Sequence, residues 1–190
     1  MIASTAGSMN FSNDIPITPM TSLREAAVLG KAERGLAVVS TLRADYTIQS
    51  TLVNVGILDH PETGRSAVAF VTAGPVKRAH LRARPQITVT FRSGWEWASV
   101  EGLAVLVGPD DPQPWLSPAD LPSLLRAIFI AAGGQHDDWD EFDAVMVRER
   151  RLAVLVDPLR VYSNPAAPAN ARRQEPSSLT KPIEDERESK

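Results

Sequence analysis

Residues 66–91 read SAVAFVTAGPVKRAHLRARPQITVTF, and this stretch predicts a strand, a short helix and a second strand. The two flanks, Ser66–Thr72 and Gln86–Phe91, have the apolar and β-branched composition of strands. Between them, Pro75 suits the first position of a helix, and Pro85 ends that helix. The rest of the fold is read outward from this unit.

The remaining sequence predicts more strands than helices, and most of its connections are hairpin-like. Ser22 and Glu25 have the spacing of a capping box at the start of a first helix. Such an order excludes a doubly wound parallel sheet and favours a small antiparallel barrel with flanking helices, a mainly β (α+β) fold. The other predicted strands are 35–42, 47–58, 95–107 and 152–156, and the other helices span 117–132 and about 138–151.

The 190 residues predict one domain between two extensions. Residues 1–20 are rich in Ser, Thr, Asn and Pro and are expected to form a flexible arm. Residues 164–190 contain almost no large apolar side chains, so we expect a disordered tail. The folded domain is therefore predicted over residues 21–163.

Composition restricts the chemistry that the chain can perform. It has no cysteine and three histidines without metal-ligand spacing, so we expect no metal site, and redox chemistry would require a bound organic cofactor. The net charge of −3 argues against a nucleic-acid partner. No apolar run is long enough to span a membrane and no secretory signal is seen, so a cytoplasmic location is expected.

Positive charge collects at one helix start. Lys77 and Arg78 lie in the first turn of the predicted helix, where the helix dipole already disfavours cations. A bound phosphate would reverse this cost, because free backbone N–H groups and both cations would converge on it. A solvated, arginine-rich helix face is an equally good interpretation. The residues that frame this candidate phosphate site are Thr72, Ala73, Gly74, Pro75 and Val76.

Two further motifs place polar or aromatic groups on strands. Trp95 and Trp97 are two apart and are expected to share a face, as a platform for a planar ring or as ordinary packing. Gln49 and Thr51 also share a face and could bind a heterocycle edge or simply meet solvent, while Ile48 and Leu52 are expected to face the core.

Together and in this order, these blocks resemble the split β-barrel flavin and deazaflavin oxidoreductases related to pyridoxamine 5′-phosphate oxidase, in particular the F420-binding actinobacterial branch. The resemblance covers about residues 22–162 and includes His136-Asp137-Asp138-Trp139-Asp140. Tyr162-Ser163-Asn164-Pro165 does not supply the C-terminal Arg-and-His motif of the pyridoxamine phosphate oxidases. That departure makes vitamin B6 oxidation improbable and favours F420 over FMN.

The resemblance implies a homodimer with the cofactor in a groove between subunits, and a small-molecule substrate. It implies that Lys77 holds phosphate, that Gln49 and Thr51 lie near the ring, and that Trp95 and Trp97 approach it, often from the partner subunit. Asn54 is a weaker candidate for the ring. The expected activity is hydride transfer between coenzyme F420 and an unsaturated acceptor, with no protein acid or base assigned. The alternatives are an FMN-dependent oxidase or reductase and a non-catalytic F420 or haem carrier.

Overall fold

The computed structural model describes residues 22–164, which form six strands and four α-helices. The predicted arm 1–20 and all but the first residue of the predicted tail 164–190 lie outside the described residues. The elements are α1 (Leu23–Ala32), β1 (Leu36–Leu42), β2 (Ile48–Asp59), β3 (Ser66–Thr72), α2 (Pro75–Ala83), β4 (Gln86–Ser93), β5 (Glu96–Val107), a 3₁₀ turn (Pro118–Asp120), α3 (Leu121–Ala131), α4 (Trp139–Arg148) and β6 (Leu152–Ser163).

The six strands close into an antiparallel barrel in the order β1-β2-β3-β6-β5-β4, which confirms the predicted fold class. Alternate residues of each strand fill the interior, where Val39, Phe70, Val100 and Val154 are fully buried. A second apolar cluster, under α3 and α4, covers the outside of β3 and β6. The end of α3 packs against β2 at Gly56, whereas the outer side chains of β1 and of the first half of β2, such as Val38, Ile48 and Leu52, are exposed.

The first helix begins as the sequence predicts. The Ser22 hydroxyl accepts from the Glu25 backbone N–H at 3.3 Å, and the Glu25 carboxylate accepts from the Ser22 backbone N–H at 2.7 Å. Two otherwise unsatisfied donors are paired in this way, so the capping box fixes the start of α1.

The barrel is split where β2 changes its partner. From Ile48 to Asn54, β2 pairs with β1, and its ladder with β3 begins only at Val55, which lies opposite Phe70. The first half of β2 therefore has no ladder with β3, and we call this unpaired stretch beside α2 the split.

The last strand is longer than predicted. The prediction ended it at Val156, but β6 continues to Ser163. Pro158 lies opposite Gly102, at the register shift between Glu101 and Gly102 in β5. A β-bulge is one of the few places where a sheet tolerates proline, so the strand continues past it.

The prediction that Ile48 and Leu52 face the core is wrong. Their side chains are 66% and 65% exposed, on the outer face of the barrel. Side-chain direction alternates along a strand, and Val53, Val55 and Ile57 pack into the interior. The odd-numbered residues of β2 from Gln49 to Ile57 therefore face inward, including Thr51, whereas Asp59 at the end of the strand is exposed.

Candidate functional site

The N-terminus of α2 is open to an anion. Gly74 is its N-cap, no side chain caps it, and its first turn contains Pro75 but no acidic residue. By contrast, Ser22 and Asp138 cap α1 and α4 through their side chains. The first backbone N–H groups of α2 remain as donors beside the split, with the partial positive charge of the helix end.

Lys77 extends from this first turn over the barrel interior. Its ammonium lies 5.2 Å from the ring centroid of Phe70, which is fully buried in β3. The salt bridges that join described residues do not include Lys77. Burial lowers the pKa of Lys77 below its usual value, because the charged form loses hydration without gaining a counter-charge.

The other cations of α2 already have partners. Arg78 donates to the backbone oxygen of Arg150 at 3.3 Å, Arg82 forms a bidentate pair with Asp111, and Arg84 lies over the ring of Tyr46. The Nε of Arg78 is buried and has no hydrogen-bond partner within the described residues, so the role of Arg78 beside Lys77 in holding phosphate stays a prediction. Lys77 has neither a salt bridge nor a side-chain hydrogen bond within the described chain.

Gln49 and Thr51 lie on the same side of the wall as α2. His80, one turn after Lys77, contacts the buried Thr41 hydroxyl through Nδ1 at 3.1 Å. Gln49 is the cross-strand neighbour of Thr41, and Thr51 is that of Val39. The face of α2 that carries Lys77 and His80 thus contacts both β3 and β1. β2 lies between these two strands, so its inward side chains lie on the side that α2 contacts.

Thr51 has an unsatisfied hydroxyl. Its Oγ1 is buried and has no hydrogen-bond partner within the described residues. A buried hydroxyl without a partner costs free energy, and a polar ligand edge in the split would remove that cost. This hydroxyl and the open helix start fit a ligand with a polar ring edge and a phosphate.

The residues that frame the helix start differ in exposure. Thr72 is buried, Ala73 is half-buried, and Gly74, Pro75 and Val76 are exposed. A Cβ atom on Gly74 would meet only the Thr72 hydroxyl, at 3.9 Å. The backbone at the start of α2 is therefore open to approach from outside.

The two tryptophans do not share a strand face. Trp95 belongs to the tight turn before β5, next to Gly94 with φ of 58°, and is 91% exposed. Trp97 lies on the outer face of β5 and packs edge-on against Tyr162, with ring centroids 5.9 Å apart. Burial and a hydrogen bond to Glu101 raise the pKa of Tyr162. Within one chain, neither tryptophan reaches the inward side on which Lys77 and Thr51 lie.

Asn54 also faces away from the split. Its Nδ2 donates to the backbone oxygen of Arg34 at 3.1 Å, and it follows Leu52 on the outer side of β2. Asn54 therefore makes a structural hydrogen bond to the turn that follows α1, and its side chain lies on the opposite face of β2 from Gln49 and Thr51.

A groove that the sequence did not indicate lies between α1 and the end of α3. It encloses about 740 Å³, and none of the predicted site residues line it. Arg24, Lys31 and Arg34 are its cations. They are spread over a helix and a turn, so only the tertiary fold shows that they converge.

Residues 22–164 lack two other kinds of feature. No group of three or more His, Asp or Glu side chains there could hold a metal ion. No helix within this range has both the length and the apolar composition that crossing a membrane requires.

No protein-family model matches the chain. Solved structures do match its barrel. One is the conserved hypothetical protein Rv2991 from Mycobacterium tuberculosis, with a TM-score of 0.54 and 19% identity over 75% of this chain and 84% of that one. Another is a pyridoxamine 5′-phosphate oxidase-related, FMN-binding protein from Nostoc punctiforme, with a TM-score of 0.50 and 15% identity over 73% and 78% of the two chains. Together with the closed six-stranded barrel, these matches show that the chain has the split β-barrel fold of the pyridoxamine 5′-phosphate oxidase-like proteins.

Proposed function

We propose that the protein is an oxidoreductase that binds a phosphorylated tricyclic cofactor, coenzyme F420, at the split beside α2. The observation that carries the proposal is Lys77, a half-buried ammonium at an uncapped helix start that has no acidic partner among residues 22–164. Holding a cation there is unfavourable unless an anion joins it. The orphaned hydroxyl of Thr51 supports a ligand that continues from the helix start into the split.

The residues present fit such a cofactor. Lys77 and the first N–H groups of α2 would hold its phosphate, and Gln49 and Thr51 would hydrogen-bond the polar edge of its ring. When bound, the cofactor would supply the hydride chemistry that no side chain of this cysteine-free protein provides. The chain's own part is to orient the ring and to exclude water from one face of it.

FMN is the second candidate, and one observation favours it. The matching structure from Nostoc punctiforme is described as FMN-binding, and a single lysine at a helix start suits a terminal phosphate. The preference for F420 rests on the C-terminal sequence, because Tyr162-Ser163-Asn164-Pro165 lacks the motif of the vitamin B6 oxidases.

Titration of the purified protein with F420, FMN and riboflavin separates these candidates. We expect F420 to bind with a dissociation constant near 1 μM, about −8 kcal/mol, measured by its change in absorbance and fluorescence. Riboflavin has the flavin ring but no phosphate, so it is expected to bind at least about 10-fold more weakly than FMN. Micromolar FMN binding without F420 binding would replace the deazaflavin with the flavin, and equal binding of riboflavin and FMN would remove the phosphate site. Binding without turnover over a panel of enones and quinones would make the protein a carrier.

We also propose that the active form is a homodimer that pairs through the outer face of the barrel. Leu52, Val38, Thr90, Ser99 and Tyr162 form one row across five neighbouring strands of this face. The row is apolar at the β2 end, where Leu52 is 65% and Val38 36% exposed. Such an exposed apolar patch is typical of a protein interface. A second copy is favoured as the partner because Trp97, on the same face, would then be available to the cofactor of the other subunit.

Leu52→Arg is expected to weaken the dimer at least about 10-fold, because a two-fold interface brings the added charge in twice. The side chain is exposed in one chain, so the variant should fold normally. Sedimentation equilibrium measures the dissociation constant, with Val147→Arg as the matched control, since Val147 is 72% exposed on α4. A wild-type protein that stays monomeric at high concentration contradicts the shared-groove arrangement.

A further inference from the structure

We propose that the groove between α1 and the end of α3 is a second binding site, for a small organic anion with an apolar body. Its volume of about 740 Å³ lies within the range of about 300–1,000 Å³ that small-molecule sites occupy. None of Gln49, Thr51, Lys77 or the other predicted cofactor residues line it, so it is separate from the site beside α2.

Three cations surround the groove. Arg24 and Lys31 are seven residues apart on α1, which places them on one face of the helix, and Arg34 follows in the next turn. Six other arginines of the described chain form salt bridges, among them Arg82 with Asp111 and Arg126 with Asp143. None of the salt bridges between described residues includes a cation of the groove.

Acidic side chains lie near the groove but do not line it. Glu25 on α1 binds the Ser22 backbone N–H, Glu33 is the C-cap of α1, and Asp59 accepts from the hydroxyl of Ser66, which lines the groove. Among the described residues, the lining therefore contains three cations and no acid, which favours an anionic ligand.

Apolar side chains form part of the lining of the groove. Phe91 is 1% exposed and lies so near α1 that a Cβ atom on Gly30 would come within 2.9 Å of its ring. Ile130, on α3, is 56% exposed at the edge of the groove. A ligand body with aromatic or branched apolar groups would cover this surface, while its anionic group meets the cations.

Arg34 is held in place by its backbone. Its φ is 55°, which is rare for a residue with a side chain, and its carbonyl accepts the hydrogen bond from Asn54. The next residue, Gly35, has a φ of 78°, and a Cβ atom there would lie 2.1 Å from the Ala132 oxygen. Strain of this kind persists where the surrounding contacts enforce it, and here it fixes the turn that carries Arg34.

The end of α3 does not need these cations for hydrogen bonding. The carbonyls of Ile128, Phe129 and Ile130 accept from the backbone N–H groups of Ala132, Gly134 and Gly133. No side-chain hydrogen bond within the described chain joins Arg24, Lys31 or Arg34 to that helix end. The positive charge is thus available to a ligand.

The test uses two fluorescent probes that differ by one charged group. 8-Anilinonaphthalene-1-sulfonate carries a sulfonate, and N-phenyl-1-naphthylamine is the same aromatic body without it. The full-length protein is expected to bind the sulfonate more tightly. The double variant Arg24→Gln, Lys31→Gln should weaken sulfonate binding at least about 10-fold and leave the neutral probe unchanged. Arg148→Gln, an exposed change on α4, is the matched control and should alter neither.

Two further measurements make the outcome decisive. Sulfonate affinity that is unchanged in Leu52→Arg supports the groove over the apolar outer face as the site of the probe, and a loss there overturns the proposal. Equal affinity for the two probes, or a double variant that lowers the melting temperature without changing sulfonate affinity, also overturns it. The second result would assign the cations to stabilising the end of α3.

Discussion

Lys77→Met is expected to weaken binding of the phosphate-bearing cofactor by about 1–3 kcal/mol, the contribution of a charge-assisted contact. The same change is expected to stabilise the cofactor-free protein by about 1 kcal/mol, the usual size of a stabilising substitution. The two effects have opposite signs because Lys77 lies over Phe70 and forms no salt bridge with any described acidic residue. Methionine retains the length and packing of the side chain and removes the uncompensated charge.

The stability difference between Lys77→Met and wild type is also expected to depend on pH. Burial lowers the pKa of Lys77 in the folded protein, so between that lowered pKa and the lysine reference pKa of about 10.4 the unfolded chain binds more protons at this group. Its unfavourable contribution is fully present below the lowered folded pKa and disappears as the pH rises to the unfolded value. The stability difference between Lys77→Met and wild type should therefore shrink as the pH approaches about 10.4.

Urea unfolding over a pH series and titration with F420 and FMN measure the two effects. Lys77→Arg is the matched control, since it retains the charge and should keep most of the cofactor affinity without the gain in stability. If Lys77→Met binds both cofactors like wild type, the phosphate lies elsewhere. A variant that loses stability at neutral pH would show that the ammonium is compensated in the folded state.

Gly56→Ala is expected to destabilise the protein by about 3 kcal/mol, the upper part of the usual range for overpacking. A Cβ atom there would lie 2.5 Å from the Ala131 carbonyl carbon and 2.6 Å from the Ala132 backbone nitrogen. Both contacts are backbone atoms at the end of α3, so no side-chain rotation can relieve them. The strand and the helix would have to separate.

Thermal unfolding would show a fall in melting temperature of roughly 6–12 °C for a domain of this size. Gly74→Ala is the matched control, because its new methyl group would meet nothing closer than 3.9 Å and its φ of −62° is ordinary. It should stay within about 0.5 kcal/mol of wild type. A neutral Gly56→Ala would contradict the close contact between β2 and α3 on which the groove depends.

Local signals predicted the elements well where neighbouring residues decide them. Ser22 and Glu25 cap α1 through each other, and Pro75 begins α2 because its ring sets φ and its missing N–H is not needed there. The positions of the charges in the sequence are enough to predict the open helix start at Lys77. A cation in the first turn interacts unfavourably with the helix dipole whatever the tertiary contacts are. The extent of β6 was not readable, because Pro158 is tolerated only at a bulge formed with another strand.

For the candidate site, the sequence by itself determined which groups are present: an uncapped cationic helix start, polar residues in β2, and no cysteine. Only the tertiary structure decided which way they face. Val53, Val55 and Ile57 pack into the barrel interior, and this determines which face of β2 points inward. Gln49 and Thr51 therefore face inward, while Leu52 and Asn54 face outward. Barrel closure likewise put Trp97 on the side opposite Lys77 and brought Arg24, Lys31 and Arg34 to one groove. Neighbouring residues determine local conformation through short-range steric contacts and hydrogen bonds. The direction in which a side chain points, and the distant side chains that it meets, depend on which strands and helices pack together.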